Sequence, residues 1–162
     1  MLRIGIGYDL HRIEEGHPLI LGGVRIPHDR GFIAHSDGDV LVHAVIDALF
    51  GAAGLGNIGQ RFPDTDPNLK GADSLELLDR AFRLVRSAGY HVVNLDSVIV
   101  AQEPKLNPYV DHMRQRLAEH LCVERSRVSV KPKTNEELGP EGRGEAISAQ
   151  AVVLLSRAEH GS

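Results

Sequence analysis

Leu2-Arg3-Ile4-Gly5-Ile6-Gly7-Tyr8-Asp9-Leu10-His11 decides how the rest of the chain is read. Ile4, Ile6, Tyr8 and Leu10 fall on one side of an extended chain, and Gly5, Gly7, Asp9 and His11 on the other. This period of two defines a β-strand. Residues i and i+2 of a strand share a face about 7 Å apart, so Asp9 and His11 can converge on one ion.

Working outward, Leu19-Ile20-Leu21-Gly22-Gly23-Val24 predicts a short hairpin. Asp37-Gly38-Asp39 opens an apolar run from Val40 to Phe50 that reads as a helix, with Ser36 or Asp37 as N-cap and Gly51 or Gly54 as its end. Residues 51–72, rich in Gly, Pro and Asp, read as one long loop. A second helix is predicted over Asp73–Ala88, with Leu75, Leu78, Phe82 and Val85 on one face and Asp73-x-x-Glu76 as a capping box. Val92–Ala101 predicts a strand. Asn107-Pro108 starts a third helix with Val110, Met113, Leu117 and Leu121 as its buried stripe. A short strand at Val128–Val130, a turn at Gly139–Gly144 and a strand over Ala146–Leu155 complete the order βααβαββ. That order indicates a single α+β domain with a mixed sheet.

Composition narrows the function. The 18 Lys and Arg stand against 22 Asp and Glu, a formal charge of −4, too mild for a nucleic-acid or membrane-surface binder acting through net charge. Aromatics make up 4% and Trp is absent, so an aliphatic core is expected. The 17 glycines exceed the usual share of roughly 7% and call for tight turns or close backbone approaches. The single cysteine, Cys122, excludes an internal disulfide framework and a four-Cys zinc site, and fits a reducing cytoplasm. No apolar run reaches the ~20 residues of a membrane span, and no signal or transit segment is expected.

Five groups carry chemistry. Asp9, His11 and His43 form a three-ligand set with an open fourth position, as in a working zinc site; Asp39 or Asp47, one helical turn from His43, would orient its ring. From spacing alone, a polar strand end beside a surface histidine competes with this. His35-Ser36-Asp37-Gly38-Asp39 is a helix start, able to hold a phosphate as well as to cap. Phe62-Pro63-Asp64-Thr65-Asp66-Pro67 is a stiff acidic turn, and Gln102-Glu103-Pro104-Lys105 ends a strand where ligands often bind. Lys131-Pro132-Lys133-Thr134-Asn135-Glu136, followed by Gly142-Arg143-Gly144-Glu145, is a solvated loop or a site for a phosphate and a divalent cation, with Glu136 the natural ligand. No Walker A loop, dinucleotide fingerprint or Gly-x-Ser-x-Gly elbow is present.

Taken together these segments resemble the 2-C-methyl-D-erythritol 2,4-cyclodiphosphate synthase family. The matching stretches are Arg3-Ile4-Gly5, Tyr8-Asp9-Leu10-His11, Gly22 to Pro27, Ala34 to Val40, Asp47-Ala48-Leu49, Phe62 to Pro67, Lys70 to Ser74, Pro104-Lys105, Leu138-Gly139 and Gly142 to Glu145. The resemblance implies a phosphorus–oxygen lyase of non-mevalonate isoprenoid biosynthesis. In the family reaction, the 2-phosphate of 4-diphosphocytidyl-2-C-methyl-D-erythritol 2-phosphate attacks its own β-phosphorus and CMP leaves. It implies Zn²⁺ on Asp9, His11 and His43, and a second cation, Mg²⁺ or Mn²⁺, on Glu136. His35 and Ser36 then hold the attacking phosphate, while His35 and Thr134 stabilise the transition state. Asn57, Ile58, Gly59, Phe62, Pro63, Asp64, Thr65 and Asp66 line the erythritol side, and Ala101, Gln102, Glu103, Pro104, Lys105, Leu106 and Asn107 the cytidine pocket. Lys133, Asn135, Pro140 and Arg143 join the substrate-facing set, with Arg143 on the central cavity of a homotrimer whose sites lie between subunits.

Three positions depart from the family pattern. Asn57 stands where an Asp is common, Lys133 where a Thr is often found, and Pro140 where some members place a Phe in the central cavity. The expected organisation is one cytoplasmic, monofunctional domain over 1–157, with helices packed on one face of its sheet and a frayed tail at 158–162. A metal phosphohydrolase and a non-enzymatic trimer binding isoprenoid diphosphates remain the rivals.

Overall fold

In the computed structural model, which describes residues 1–157, the opening strand β1 runs from Leu2 to Glu15, four residues past the stretch that ends at His11. The expected frayed tail, 158–162, lies outside the described residues. After β1 come β2 (Leu19–Leu21), β3 (Val24–Ile26), β4 (Arg30–Phe32), α1 (Val40–Ala53) and α2 (Ile58–Arg61). Then follow α3 (Ser74–Ser87), β5 (Tyr90–Val100), α4 (Val110–Leu121), β6 (Val128–Lys133), α5 (Gly139–Gly142) and β7 (Ala146–Arg157). Five strands make a mixed sheet in the order β4-β1-β7-β5-β6, antiparallel except for the parallel β5–β6 pair. β2 and β3 form a separate hairpin that turns at Gly22 and Gly23, both at positive φ.

α1 packs on β1 and β7, and the glycines of β1 set how closely. A Cβ built on Gly5 would lie 2.0 Å from the Ala48 carbonyl oxygen, and one on Gly7 1.8 Å from that of Ala44. Strand and helix therefore meet backbone to backbone, which only glycine permits. The glycine face is the core face. The opposite row is left without cover, with Leu2, Ile4, Ile6 and Tyr8 at 65%, 72%, 70% and 55% exposure.

The core is mainly aliphatic, as expected. α1 buries Leu41, Ile46 and Leu49 completely, each burial being worth about 1.5–3 kcal/mol relative to exposure. β7 contributes Ile147, Ala149, Ala151, Val153 and Leu155, the face its alternation predicts, and α4 contributes Met113, Leu117 and Leu121. All four phenylalanines are buried among them.

Several boundaries differ from the sequence expectation. The N-cap of α1 is Asp39 rather than Ser36 or Asp37, because the Asp39 carboxylate also ties down the β2–β3 turn. The long loop at 51–72 holds the end of α1, the capped turn α2 and a 3₁₀ turn at Pro67–Leu69. Asn107-Pro108 opens a 3₁₀ turn, and α4 begins at Val110. Gly139–Gly144 contains the short helix α5, since Pro140 suits a first helical turn. Asp73 caps α3 through the Leu75 N–H, without a return bond from Glu76.

Candidate active site

β1 delivers Asp9 and His11 to its core-side face, and the close seat of α1 brings His43 beside them. Asp9 Oδ2 lies 3.2 Å from His11 Nε2 and 3.0 Å from His43 Nδ1, and one donor atom from each residue falls within 4.8 Å of the others. A tetrahedral ion with bonds of 2.0–2.1 Å keeps its donors roughly 3.3 Å apart, so one carboxylate and two imidazoles at these separations can hold a metal ion. The electrostatics agree. Burial alone would raise the Asp9 carboxyl, but hydrogen bonds from His11 and His43, and their charges, hold it far below the usual carboxylate range. Burial would lower His43, but the Asp9 hydrogen bond and charge, with Asp39 and Asp37 beyond, raise it.

Neither Asp39 nor Asp47 orients His43 by direct contact, contrary to the sequence expectation. Asp39 accepts from the N–H groups of Gly22 (3.0 Å), Gly23 (2.8 Å) and Val42 (3.1 Å). Complete burial, with the Asp37 charge nearby, pushes its pKa up to about 6 against these bonds. Asp47 accepts from Ile58 N–H at 2.9 Å and anchors α2. The His43 ring meets Ser74 instead, with Nε2 2.8 Å from its Oγ. Ser74, the first residue of α3, donates its hydroxyl to Asp37. Its position 31 residues from His43 has no periodic signature in the sequence.

The metal set lies in a cleft of about 240 Å³ whose walls include His35, Ser36, Ile58, Gly59, Phe62 and Asp64. His35 Nε2 is 3.1 Å from the Asp66 carbonyl, which ties the phosphate-side histidine to the acidic turn. Pro63 and Thr65 are exposed on that turn. Asn57 is occupied in capping α2: its side chain accepts from Gln60 N–H, and Gln60 answers by accepting the Asn57 N–H. The start of α1 is closed by buried Asp39, and Val40 to Val42 are fully buried. Side chains of His35 and Ser36, rather than helix N–H groups, therefore face the cleft.

The remaining candidates gather elsewhere in the chain. Gln102, Glu103 and Arg143 line a second cleft of about 260 Å³ with Ile13, His28 and Arg30. Ala101 and Leu106 are buried supports, while Glu103, Lys105 and Asn107 are exposed and Pro104 is half-buried. Gln102 accepts the Glu137 N–H (3.2 Å), linking the 101–107 loop to the segment after β6. There, Lys133 and Glu136 are exposed, and Thr134 Oγ1 accepts the Glu136 N–H at 3.3 Å. Asn135 reaches toward Glu141 (3.4 Å), Pro140 sits in the first turn of α5, and Arg143 pairs with Glu145 (3.0 Å). Among the described residues, none of this second group lines the cleft of Asp9, His11 and His43.

Fold and site define a class: single-domain α+β proteins whose first strand and first helix bring together one carboxylate and two imidazoles able to hold a metal ion. The model of the YgbB family matches residues 2–156, and the chain belongs to that family, the 2-C-methyl-D-erythritol 2,4-cyclodiphosphate synthases. It is 60% identical to the 2-C-methyl-D-erythritol 2,4-cyclodiphosphate synthase of Ralstonia pickettii, over 98% of this chain and 94% of the relative. It is 57% identical to the protein of the same name from Geobacillus kaustophilus, over 97% and 99%. A solved 2C-methyl-D-erythritol-2,4-cyclodiphosphate synthase in its CDP-bound form superposes with a TM-score of 0.88 at 42% identity, covering 95% of this chain and all of that one. Among the described residues no helix is long and apolar enough to cross a membrane.

Proposed function

We propose that the chain cyclises 4-diphosphocytidyl-2-C-methyl-D-erythritol 2-phosphate to 2-C-methyl-D-erythritol 2,4-cyclodiphosphate, releasing CMP, in the cytoplasmic non-mevalonate route to isoprenoid precursors. The observation that carries this is the convergence of Asp9, His11 and His43 beside His35 and Ser36 in one cleft, in a chain of this family. The substrate attacks itself, so the obstacles are repulsion between phosphates and the alignment of nucleophile with β-phosphorus, and these yield to cations and positioning. Asp9, His11 and His43 would hold Zn²⁺, which would supply Lewis-acid charge to a phosphate oxygen. His35, anchored by the Asp66 carbonyl, and Ser36 hold the attacking phosphate. Ile58, Gly59 and Phe62, with the 63–66 turn, enclose the erythritol carbons and keep water from the reacting centre.

The other half of the site comes from a neighbouring copy. In support, the 101–107 loop, Thr134 and Glu136 lie outside the metal cleft of their own chain, and the β1 row of Leu2, Ile4, Ile6 and Tyr8 is an uncovered apolar strip of the kind that marks an interface. In a homotrimer of single-domain subunits (1–157), residues 101–107 hold cytidine. Lys133 and Asn135 gather the diphosphate, Glu136 would hold Mg²⁺ or Mn²⁺, and Thr134 bonds the β-phosphate as charge redistributes. Pro140 and Arg143 face the threefold axis.

Incubation of the metal-loaded protein with the cytidyl substrate, followed by ³¹P NMR, tests this. A cyclic diphosphate and stoichiometric CMP are expected. Release of inorganic phosphate would identify a phosphohydrolase, and absence of turnover would overturn the assignment.

A further inference from the structure

We infer that Ser74 and Asp37 are positioning residues which decide the nitrogen on which His43 carries its proton, and thereby hold the other nitrogen open to a metal. The inference rests on the assignment of Asp9, His11 and His43 as a metal set, and it concerns two residues that touch no ligand of their own.

The direction of each hydrogen bond follows from counting protons. Ser74 is fully buried, so its hydroxyl has only protein partners. Its Oγ lies 2.8 Å from His43 Nε2 and closer still to Asp37 Oδ1. A hydroxyl has one proton to give, whereas a carboxylate only accepts. Asp37 is fixed in this accepting position by two backbone donors, Ser74 N–H to Oδ2 at 2.9 Å and Asp39 N–H to Oδ1 at 3.0 Å. The Ser74 proton therefore goes to Asp37, and the hydroxyl oxygen turns a lone pair toward His43. Only a protonated Nε2 satisfies that lone pair. Ser36 Oγ, 3.3 Å from the same nitrogen and accepting the Gly38 N–H, is a second acceptor for the same proton.

His43 Nδ1, 3.0 Å from Asp9 Oδ2, the oxygen that His11 also approaches, is then the nitrogen whose lone pair a metal ion can take in exchange for the hydrogen bond to Asp9. A metal ligand must offer a lone pair, and the hydrogen bond at the far nitrogen selects which one is offered. Reversing the Ser74 hydroxyl inverts the choice: it would donate to Nε2, the proton would stay on Nδ1, and the ring would keep its bond to Asp9 rather than take a cation. Asp37 prevents this from a distance, because a carboxylate cannot donate to Ser74. The start of α3 thus serves the metal site on β1 and α1.

Asp37→Asn tests the idea with little change of shape, because an amide can donate to Ser74 Oγ and free the hydroxyl to turn. Histidine-labelled protein is examined by long-range ¹H–¹⁵N NMR, and zinc affinity is measured by competition with a chromophoric chelator. In the zinc-loaded wild type, His43 is expected to carry its proton on Nε2 with Nδ1 bound to the metal. Asp37→Asn is expected to shift the neutral ring toward the Nδ1–H form in the metal-free protein and to weaken zinc by about 10- to 100-fold, the usual effect of losing such a partner. Ser74→Ala, which needs no rearrangement, is expected to weaken zinc by about tenfold, so the proposal is testable even if Asp37→Asn does not fold. A proton on Nδ1 in the zinc-loaded wild type, or foldable variants that keep wild-type zinc affinity and tautomer, would overturn it. Failure of the wild type to bind zinc would instead reject the metal assignment beneath it.

Discussion

Replacing Gly7 with alanine adds one methyl group at the tightest contact between β1 and α1. That carbon would lie 1.8 Å from the Ala44 carbonyl oxygen and 2.8 Å from Ala48 N, where ordinary contact begins at 3.4 Å. The obstruction is helix backbone, which cannot swing aside as a side chain would. Strand and helix must part by roughly 1.5 Å, at an overpacking cost of about 3 kcal/mol, the upper end of the usual range. With a urea dependence of about 1–3 kcal/mol per molar, the unfolding midpoint should fall by roughly 1–3 M. Asp9 is two residues along the same strand, and its 3.0 Å contact with His43 spans this same gap. Opening it leaves a donor set too wide for bonds of about 2.0–2.1 Å, so zinc affinity should fall by about tenfold or more. Urea titration of the metal-free protein and chelator competition of the refolded variant read the two effects separately. Gly51→Ala is the contrast, since a Cβ there meets nothing nearer than the Ile6 oxygen at 4.0 Å. That change should stabilise α1 by about 0.5–1 kcal/mol. A Gly7→Ala protein with wild-type urea midpoint and zinc affinity would refute the claim that glycine sets the spacing of the site.

Stability of the metal-free protein should decline with rising pH. Asp39, raised from 3.8 to about 6 by burial, and His43, raised from 6.5 by Asp9, both bind protons more tightly folded than unfolded. Their contributions are full below the unfolded values and fade as pH climbs through the folded ones. The melting temperature should therefore drop between about pH 5 and 8, and zinc, which needs neutral imidazole, should raise it more at pH 8 than at pH 5.5; a metal-free melting temperature that climbs over this range would contradict the assignment. Ile6→Glu places a charge in the uncovered apolar row and should shift the assembly to monomers in sedimentation velocity; an unchanged sedimentation coefficient would exclude that row as the interface. Mixing inactive Lys105→Ala with inactive His11→Ala chains should restore part of the activity through hybrid sites, and no recovery after verified subunit exchange would count against a shared site. Thr134→Ala should lower kcat by about ten- to a hundredfold with little change in KM, as expected for one hydrogen bond that strengthens in the transition state, and steady-state kinetics with equal losses in both constants would reject that role.

What could be read from the sequence follows from how local each signal is. Asp9 and His11 were legible because a strand's period of two puts them on one face, and His43 because it is a polar residue in the first turn of a strongly apolar helix. Ser74 and Asp37 were not legible as partners of His43, since their hydrogen bonds join the starts of two helices far apart in the chain. The cap of α1 was placed too early because Ser36, Asp37 and Asp39 all have capping side chains; contacts from Gly22 and Gly23 decide among them. The alternation of β1 correctly separated its two faces but did not say which was inside. Burial usually follows the larger apolar residues, and here helix backbone occupies the glycine side. The separation of the metal cleft from the 101–107 loop depends on sheet order, which no motif in either segment encodes.

The pairing of β1 with β7 also bears on how the chain is made. Leu2 lies opposite Ser156 and Arg12 opposite Ala146, so β1 is translated well before the strand it pairs with. Until then β1 has no partner along its β7 edge, and its apolar row lies open. The sheet cannot close before β7 has been translated, and products terminated earlier carry an unpaired strand suited to edge-to-edge aggregation. Such fragments are natural clients for chaperones and proteases, and a tag placed after β7 must leave that strand free to reach the centre of the sheet.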